Sequence, residues 1–301
     1  MSQPEASLAV VVVTYNSEAE IASCLDALLR ATKSFRTQVC VVDNGSVDAT
    51  VLVCKQWALD HATERFHVDI VPLPHNLGFT RGMNVGLDRV RGDYVLWLNP
   101  DVQLEPDALT VLRNAVHEPG VGVAAPQLLN PDGSVQPSCR RFPRHRDVWF
   151  ESLGLSRFFP RSPLFAAWKM GNFDHRTRRE VDQPQGACLL FRGDVADQVG
   201  RLDERFRMFF SDVDICRRVR QQGWRILFEP AAKAVHAKGA SVYRFRERAL
   251  RDSHRDFVRY FWKWYRGIRW FPANVLVTLL LYELLPARLL GVKVAKLVHR
   301  R

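Results

Sequence analysis

Short apolar runs alternate with amphipathic patterns through the first hundred residues of this 301-residue chain. Four runs have the length and β-branched content of buried strands: Leu8–Thr14, Val39–Asp43, Val68–Leu73 and Tyr94–Leu98. The first three are each followed by apolar residues at helical spacing. Strands that alternate with helices predict an α/β fold, a mostly parallel sheet flanked by helices with right-handed crossovers.

The pattern changes in the middle of the chain. From about residue 127 to residue 183 the sequence is rich in loop signals and in arginine, and we interpret this segment as an insertion over a site rather than a separate domain. Regular structure is expected again as a strand within residues 185–191, a helix over about 212–222, and a strand within residues 226–236.

Polar side chains stand directly at the ends of three predicted strands. They are Thr14, Tyr15 and Asn16, then Asp43, and finally Asn99 and Asp101. In open α/β sheets ligands bind outside the carboxyl ends of the strands, so these residues are candidates for one binding site. A single Asp at a strand end is more often a turn or cap residue, so the inference of a binding site rests on the combination of these polar residues.

Several short segments occur in one order along the chain. They are Val12-Val13-Thr14-Tyr15-Asn16, Val42-Asp43-Asn44-Gly45-Ser46, Asn76-Leu77-Gly78, Leu98-Asn99-Pro100-Asp101 and Asp212-Val213-Asp214. In this order and spacing the chain resembles glycosyltransferase family 2, in particular its rhamnosyltransferase-like bacterial branch. The resemblance covers roughly residues 7–241 and implies a GT-A type, Rossmann-like fold. It implies a nucleotide-sugar half over about 1–125, an acceptor half over about 126–241, and a basic, aromatic helical tail over 242–301.

The resemblance also implies a donor site and a divalent cation, Mg²⁺ or Mn²⁺. Its donor-binding residues would be Thr14, Tyr15, Asn16, Asp43, Asn76, Gly78, Arg81, Asn84, Asn99 and Asp101. Because Asn99 replaces one acid of the family's metal motif, Asp101 would be the single carboxylate ligand, with His236 beside it. A plain turn at residues 99–101, a solvated Arg81 and a structural His236 stay open as alternatives.

On the acceptor side, the resemblance implies that Asp212 is the catalytic base. Inverting transfer needs one carboxylate that takes the proton of the attacking hydroxyl group. Ser211 departs from the family pattern, which has a glutamate there. The acceptor would be bound by Gln185, Gly186, Ala187 and Asp214. The alternative is that Asp212 and Asp214 only cap their helix and complement its dipole.

Positive charge is concentrated at the end of the chain. Residues 241–301 carry 14 Lys and Arg against 4 Asp and Glu, interleaved with aromatic residues. The apolar run Val275–Leu285 is shorter than the ~20 residues of a membrane span. We therefore expect an amphipathic tail on an anionic membrane surface. Packing on the catalytic domain or in a homodimer is the alternative, and no nucleic-acid motif accompanies the tail.

The expected location is cytoplasmic and peripheral, on the inner face of the plasma membrane. The six cysteines are scattered without metal-type spacing, which is typical of buried thiols in a reducing compartment. The apolar run Leu8–Val13 is too short for a signal peptide.

The sequence thus predicts transfer of a sugar, by resemblance rhamnose, from a dTDP- or UDP-sugar to a lipid-linked saccharide in cell-surface polysaccharide biosynthesis. A non-catalytic nucleotide-sugar binding protein is one alternative, because of Ser211 and the single acid at Asp101. A dinucleotide-dependent oxidoreductase is a remote alternative, since no GxGxxG follows the first strand.

Overall fold

The computed structural model describes residues 5–237 and 246–298. Nine of the eleven strands in these residues form one central sheet, and the other two, Cys139–Arg140 and Gln183–Pro184, pair with each other. The strands are β1 (Ser7–Thr14), β2 (Arg36–Asp43), β3 (Phe66–Pro72), β4 (Tyr94–Leu98), β5 (Val102–Leu104), β6 (Val121–Leu129), β7 (Cys139–Arg140), β8 (Arg179–Glu180), β9 (Gln183–Pro184), β10 (Cys188–Arg192) and β11 (Arg225–His236). The helices are α1 (Ile21–Ala31), α2 (Thr50–His61), α3 (Phe79–Leu87), α4 (Ala108–Val116), α5 (His145–Ser152), α6 (Leu155–Phe158), α7 (Gly193–Val199), α8 (Ser211–Gln221), α9 (Arg246–Trp264) and α10 (Phe271–Val298).

The sheet has the spatial order β3-β2-β1-β4-β10-β6-β11-β5, with β8 paired to β11. Strand β1 runs parallel to β2 and β4, and β6 runs parallel to β11. Strand β10 runs antiparallel between β4 and β6, while β5 and β8 are antiparallel to β11. Six of the nine strands therefore point the same way, and the predicted mostly parallel α/β sheet is confirmed.

Helices cover both faces of this sheet because its strands are apolar on both sides. In β1, Leu8, Val10 and Val12 pack on one face with α1, α2 and α4. The alternate residues of β1 pack on the other face with α3, α7 and α8. Successive side chains of a strand point to opposite faces, so a continuous apolar run is what a doubly covered strand requires.

Strand β6 and helix α4 were missed in the sequence, although β6 is central to the sheet. The strand contains Gly122, Ala124, Ala125 and Pro126, which are poor strand formers. Tertiary packing explains them: a Cβ at Gly122 would lie 3.0 Å from side-chain atoms of both Trp224 and Val195. Pro126 stands where the register with β11 shifts, a position at which a strand tolerates proline.

The C-terminal helices pack on the body of the chain through a cluster that we call the tail core. It consists of Val148, Phe206, Phe210, Val213, Tyr260, Phe261, Val277 and Leu281. The alternative of a tail packed on the rest of the chain is therefore realised for these residues. The predicted division between residues 241 and 242 lies outside the described residues.

The apolar segment at the end of the chain is longer than the sequence pattern suggested. Helix α10 continues through Pro286, which is exposed, and the segment Ile268–Lys293 is long and apolar enough to cross a membrane by length and composition alone. However, α10 is docked on helices α5 and α9, from Asn274, which contacts His145 of α5, to Arg288, which contacts His254 of α9. At 1.5 Å per residue this docked part is about 21 Å long.

Candidate functional site

The carboxyl ends of β1 and β2 form a small polar cradle. Thr14 Oγ1 donates to Asp43 Oδ1 at 3.0 Å, because the two residues are paired in the parallel register. Ser46 N donates to Asp43 Oδ2 at 2.9 Å. The backbone N–H of Val47, the residue after Ser46, donates to Asn16 Oδ1 at 2.9 Å. Tyr15 is half-buried between Thr14 and Asn16. Four of the predicted donor residues are thus brought together.

The loop between β3 and α3 is fastened to this cradle. Asn44 Oδ1 accepts from Leu77 N at 2.8 Å, and Asn76 Oδ1 accepts from Gly78 N at 2.9 Å. Gly78 has φ +95°, and a Cβ there would lie 2.6 Å from Arg207 Cγ. Only glycine is compatible with both this backbone and this close approach. Asn76 and Gly78 therefore lie near Asp43, at the carboxyl end of β2. Their contact with the donor stays a prediction.

The next two predicted donor residues point elsewhere. Arg81 Nε donates to Glu204 Oε2 at 3.0 Å. Asn84 is buried, donates to Leu202 O at 3.0 Å and accepts from Leu202 N at 2.9 Å. These bonds tie α3 to the segment before α8 and occupy the Asn84 amide. Contact of Arg81 or Asn84 with the donor stays a prediction, and the structure gives both a positioning role.

Asp101 and His236 meet where β5 pairs with the end of β11. His236 Nε2 lies 3.5 Å from Asp101 Oδ1, while His236 Nδ1 lies 2.7 Å from Gln136 Oε1. Gln136 Nε2 donates to Asn130 Oδ1 at 2.8 Å, so Gln136 Oε1 is the acceptor and His236 Nδ1 carries the proton. Metal-binding histidines are commonly oriented in this way through their second ring nitrogen. Nε2 is consequently the ring nitrogen of His236 that faces Asp101.

These two side chains suit a partial coordination shell for a divalent cation. Among residues 5–237 and 246–298, no group of three or more His, Cys, Asp and Glu side chains could hold a metal ion. Mg²⁺ typically takes only one or two protein ligands and completes its shell with water and phosphate oxygens. Asp101 and His236 therefore fit a cation that is bound together with a nucleoside diphosphate.

Asp212 lies at the start of α8 and is held by three N–H groups. Its Oδ2 accepts from Gln183 Nε2 at 2.9 Å and from Gly186 N at 3.1 Å, and its Oδ1 accepts from Val213 N at 2.8 Å. Burial raises the pKa of Asp212, while these donors and the Arg140 guanidinium act to lower it. A carboxylate with a raised pKa is a stronger base.

The segment Gln185–Ala187 connects Asp212 to the cation pair. Gly186 donates to Asp212, and one residue later Ala187 O accepts from Asn99 N at 2.8 Å. Asn99 begins a turn, with its carbonyl accepting from Val102 N at 3.2 Å, and this turn presents Asp101. The predicted base, acceptor segment and cation ligands therefore form one hydrogen-bonded row along the edge of the sheet.

Asp214 lies on the far side of the same helix turn and is completely buried. Its Oδ1 accepts from Trp264 Nε1 at 2.9 Å and from Lys263 Nζ at 2.6 Å, and its Oδ2 accepts from Arg218 Nε at 3.2 Å. The acceptor contact predicted for Asp214 stays a prediction that would require α9 to move. The structure gives Asp214 the role of anchoring the tail.

The residue that precedes α8 has an unusual backbone. Phe210 has φ +65°, in the left-handed region, which is uncommon for a bulky residue. Its ring packs edge-on against Phe257 of α9, with centroids 4.3 Å apart. The neighbouring Phe209 N donates to the buried Asp256 of α9 at 3.2 Å. Helix α9 therefore holds the sharp turn that aims Asp212.

A cavity of about 410 Å³ opens beside Asp212, and we call it the acceptor cavity. Its walls include Arg140, Lys169 and Gln183 from the body and Phe257 and Arg288 from the two tail helices. The tail thus forms one wall of the space in which a group facing Asp212 would bind.

Three residues of the site were missed in the sequence: Gln136, Arg140 and Gln183. Gln183 lies two residues before Gln185 and could have been included with that segment. Arg140 belongs to the arginine-rich insertion, where nothing distinguishes it from its neighbours. Gln136 stands in no motif, and only the fold brings it to His236.

Comparison with known proteins identifies the family of the chain. The model of the family described as glycosyl transferase family 2 matches residues 9–168. An N-acetylglucosaminyl-diphospho-decaprenol L-rhamnosyltransferase of Mycobacterium tuberculosis is 31% identical over 281 residues, which are 87% of this chain and 88% of the relative. A low-salt glycan biosynthesis hexosyltransferase of Haloferax volcanii is 25% identical over 79% of this chain and 69% of the relative.

Solved structures with a similar fold are more distant in sequence. A mannosyltransferase from Pyrobaculum calidifontis, in complex with GDP-Man and Mn²⁺, has a TM-score of 0.58 and 19% identity and covers 96% of this chain and 75% of its own. The S. aureus protein TarS in complex with UDP has a TM-score of 0.52 and 17% identity, over 84% of this chain and 65% of that one. These likenesses agree with the predicted GT-A fold.

Proposed function

The chain belongs to glycosyl transferase family 2 and is a glycosyltransferase, and from this premise we propose that it inverts the anomeric centre during transfer to a lipid-linked saccharide. The donor is a dTDP- or UDP-sugar, with rhamnose as the sugar, and the product serves cell-surface polysaccharide biosynthesis. The observation that carries the proposal is the row from Asp212 through Gly186 and Asn99 to Asp101. The substrate class rests on the mycobacterial relative, whose name specifies rhamnosyl transfer to a diphospho-decaprenol-linked sugar.

On the acceptor side, Asp212 takes the proton of the attacking hydroxyl group. The hydroxyl oxygen then forms a bond to the anomeric carbon as the bond from that carbon to the nucleoside diphosphate breaks on the opposite face. Gln183 and Gly186 keep one oxygen of Asp212 fixed. Fixing a base in this way is worth large rate factors, because the reacting atoms need no further orientation.

On the donor side, Thr14, Tyr15, Asn16 and Asp43 bind the nucleoside, and the loop of Asn76 and Gly78 borders the donor. Asp101 and His236 hold the divalent cation, which when bound neutralises the charge that develops on the leaving diphosphate. Gln136 keeps His236 in the tautomer that presents Nε2. Arg81 and Asn84 position helix α3 on the donor side through their hydrogen bonds to Glu204 and Leu202.

The site of action that we propose is the inner face of the plasma membrane. Helix α10 exposes large apolar side chains, Leu276, Leu279, Tyr282 and Leu290 among them, although its other face is docked on the body. Because one face of α10 is docked on α5 and α9 and the other face is apolar and exposed, we place the helix at the membrane interface rather than as a span surrounded by lipid. A homodimer through the same face is the competing arrangement.

The test is transfer from a panel of labelled nucleotide sugars to a diphosphate-linked acceptor lipid, with Mg²⁺ or Mn²⁺. Asp212→Asn should lower the transfer rate by about 10²–10⁴-fold while donor affinity is kept. Asp197→Asn, the same change on an exposed residue of α7, is the control and should act like wild type. Metal-dependent nucleotide binding without transfer from any donor would instead favour the non-catalytic binding protein.

A further inference from the structure

A second cavity, of about 300 Å³, has four arginines among its ten lining residues, and we call it the arginine cavity. Its cationic residues are Arg141, Arg144, Arg146 and Arg217, its acids are Asp147 and Asp182, and its other walls include Trp168 and Tyr265. Asp212 is not part of its lining, so this cavity is distinct from the acceptor cavity, with which it shares Trp168.

The two acids compensate only half of this positive charge. Asp147 accepts from Arg144 N at 2.8 Å and Asp182 accepts from Phe142 N at 3.2 Å, so both are engaged with backbone groups. The contact of Arg146 with Asp147 is long, at 4.0 Å. Four guanidinium groups against two carboxylates make a site for an anion with several acceptor oxygens, such as a phosphate.

Two further observations indicate that the cavity is built rather than incidental. Arg217 Nη1 donates to the Tyr260 hydroxyl group at 2.6 Å, and the Arg217 guanidinium group lies over the Tyr265 ring, 5.0 Å from its centroid. Trp168 Nε1 is buried without a hydrogen-bond partner among the described atoms. A buried donor of this kind is costly unless a ligand completes it.

The arginine cavity adjoins an exposed apolar surface. Tyr265 also lines a neighbouring cavity of about 460 Å³, together with Trp262, Ile268 and Phe271. Ile268 is 88% exposed, and the exposed apolar face of α10 follows it along the chain. A phosphate site at the border of an apolar, tryptophan-containing surface has the layout of a membrane interface.

We propose that the arginine cavity binds the phosphate head group of an anionic phospholipid, with the acyl chains on the adjoining apolar surface. The charge that recognises the membrane then belongs to the middle segment of the chain. Part of the tail's own charge is used internally, because Lys263 pairs with Asp203 and Asp214 and Arg259 pairs with Asp256. This inference does not depend on which donor or acceptor the enzyme uses.

The test is binding of the full chain to vesicles of phosphatidylcholine, with and without phosphatidylglycerol. The double variant Arg141→Gln, Arg144→Gln should lose about 30-fold in affinity for the anionic vesicles, since each cation near the surface contributes tenfold or less. The matched control, Arg248→Gln with Arg251→Gln, removes the same charge from exposed positions of α9 and should retain nearly full binding.

Two outcomes would overturn the inference. Equal losses for both double variants would mean that the attraction is diffuse and that the cavity recognises nothing. Unchanged vesicle binding, with a raised KM for the diphosphate-linked acceptor in phospholipid-free detergent, would assign the cavity to the acceptor. Transfer to the diphosphate-linked acceptor in detergent tests the proposed function separately, because an inactive wild-type chain defeats that function without changing the vesicle result.

Discussion

Gly186→Ala tests whether the position of Asp212 sets the rate of transfer. The backbone of Gly186 is not in the left-handed region, so alanine is allowed there. Its Cβ would lie 2.8 Å from Asp212 Cβ, however, and an ordinary contact between carbon atoms is about 3.8 Å. The segment and the base must therefore separate by about 1 Å.

A displacement of this size has a predictable cost. Misplacing a reacting group by about 1 Å lowers rates by about 10²-fold. Overpacking should also lower the free energy of unfolding by about 1–3 kcal/mol, which leaves the protein folded at 25 °C. The affinity for the nucleotide sugar should change less than the rate, because none of the hydrogen bonds that form the cradle of Thr14 and Asp43 involves Gly186.

The assay is single-turnover transfer at saturating donor, with donor affinity measured by calorimetry. Gly291→Ala is the control, because it adds the same methyl group inside α10 where nothing lies within 4 Å. It should keep the wild-type rate. A folded Gly186→Ala variant that transfers as fast as wild type would refute the reasoning, because the base would then tolerate the shift that the structure forbids.

Three further predictions concern charged residues in and around the hydrogen-bonded row from Asp212 to Asp101. Arg140→Met should move the acid limb of the pH profile of kcat/KM to higher pH, because Arg140 lowers the pKa of Asp212, which must be deprotonated to act; an unmoved limb would separate the two groups. Asp101→Ala should abolish the metal dependence of donor binding in a titration with Mn²⁺, and an unchanged response would place the cation elsewhere. Asp214→Ala should lower the free energy of unfolding by about 3 kcal/mol in a denaturant titration, because Arg218 and Trp264 lose a buried charged acceptor, although Lys263 keeps Asp203. A raised acceptor KM at full stability would instead support the acceptor contact.

The parallel half of the fold was readable in the sequence because its signals are local. Strands β1, β2 and β4 are buried on both faces and are therefore continuous apolar runs, while their polar ends supply Thr14, Asp43 and Asp101. The order of these short motifs was enough to predict the family, which the family model and the mycobacterial relative confirm.

The remaining features depend on contacts between distant parts of the chain. Gln136 reaches His236 across 100 positions, and Trp264 reaches Asp214 across 50, so no local pattern signals either contact. Strand β6 was missed because its small residues have low strand propensity and are required instead by close packing against neighbouring side chains. The tail was expected to be an appendage because its composition resembles a membrane surface helix, and composition does not reveal which charges are already paired.

The tail core also determines how the protein should unfold. Phe210 and Val213 of the catalytic body share one apolar cluster with Tyr260 and Leu281 of the tail, so neither part can lose its packing alone. Calorimetry should then record a single heat-absorption peak whose van't Hoff and calorimetric enthalpies agree. The two tail helices and the turn that precedes Asp212 would melt as one cooperative unit.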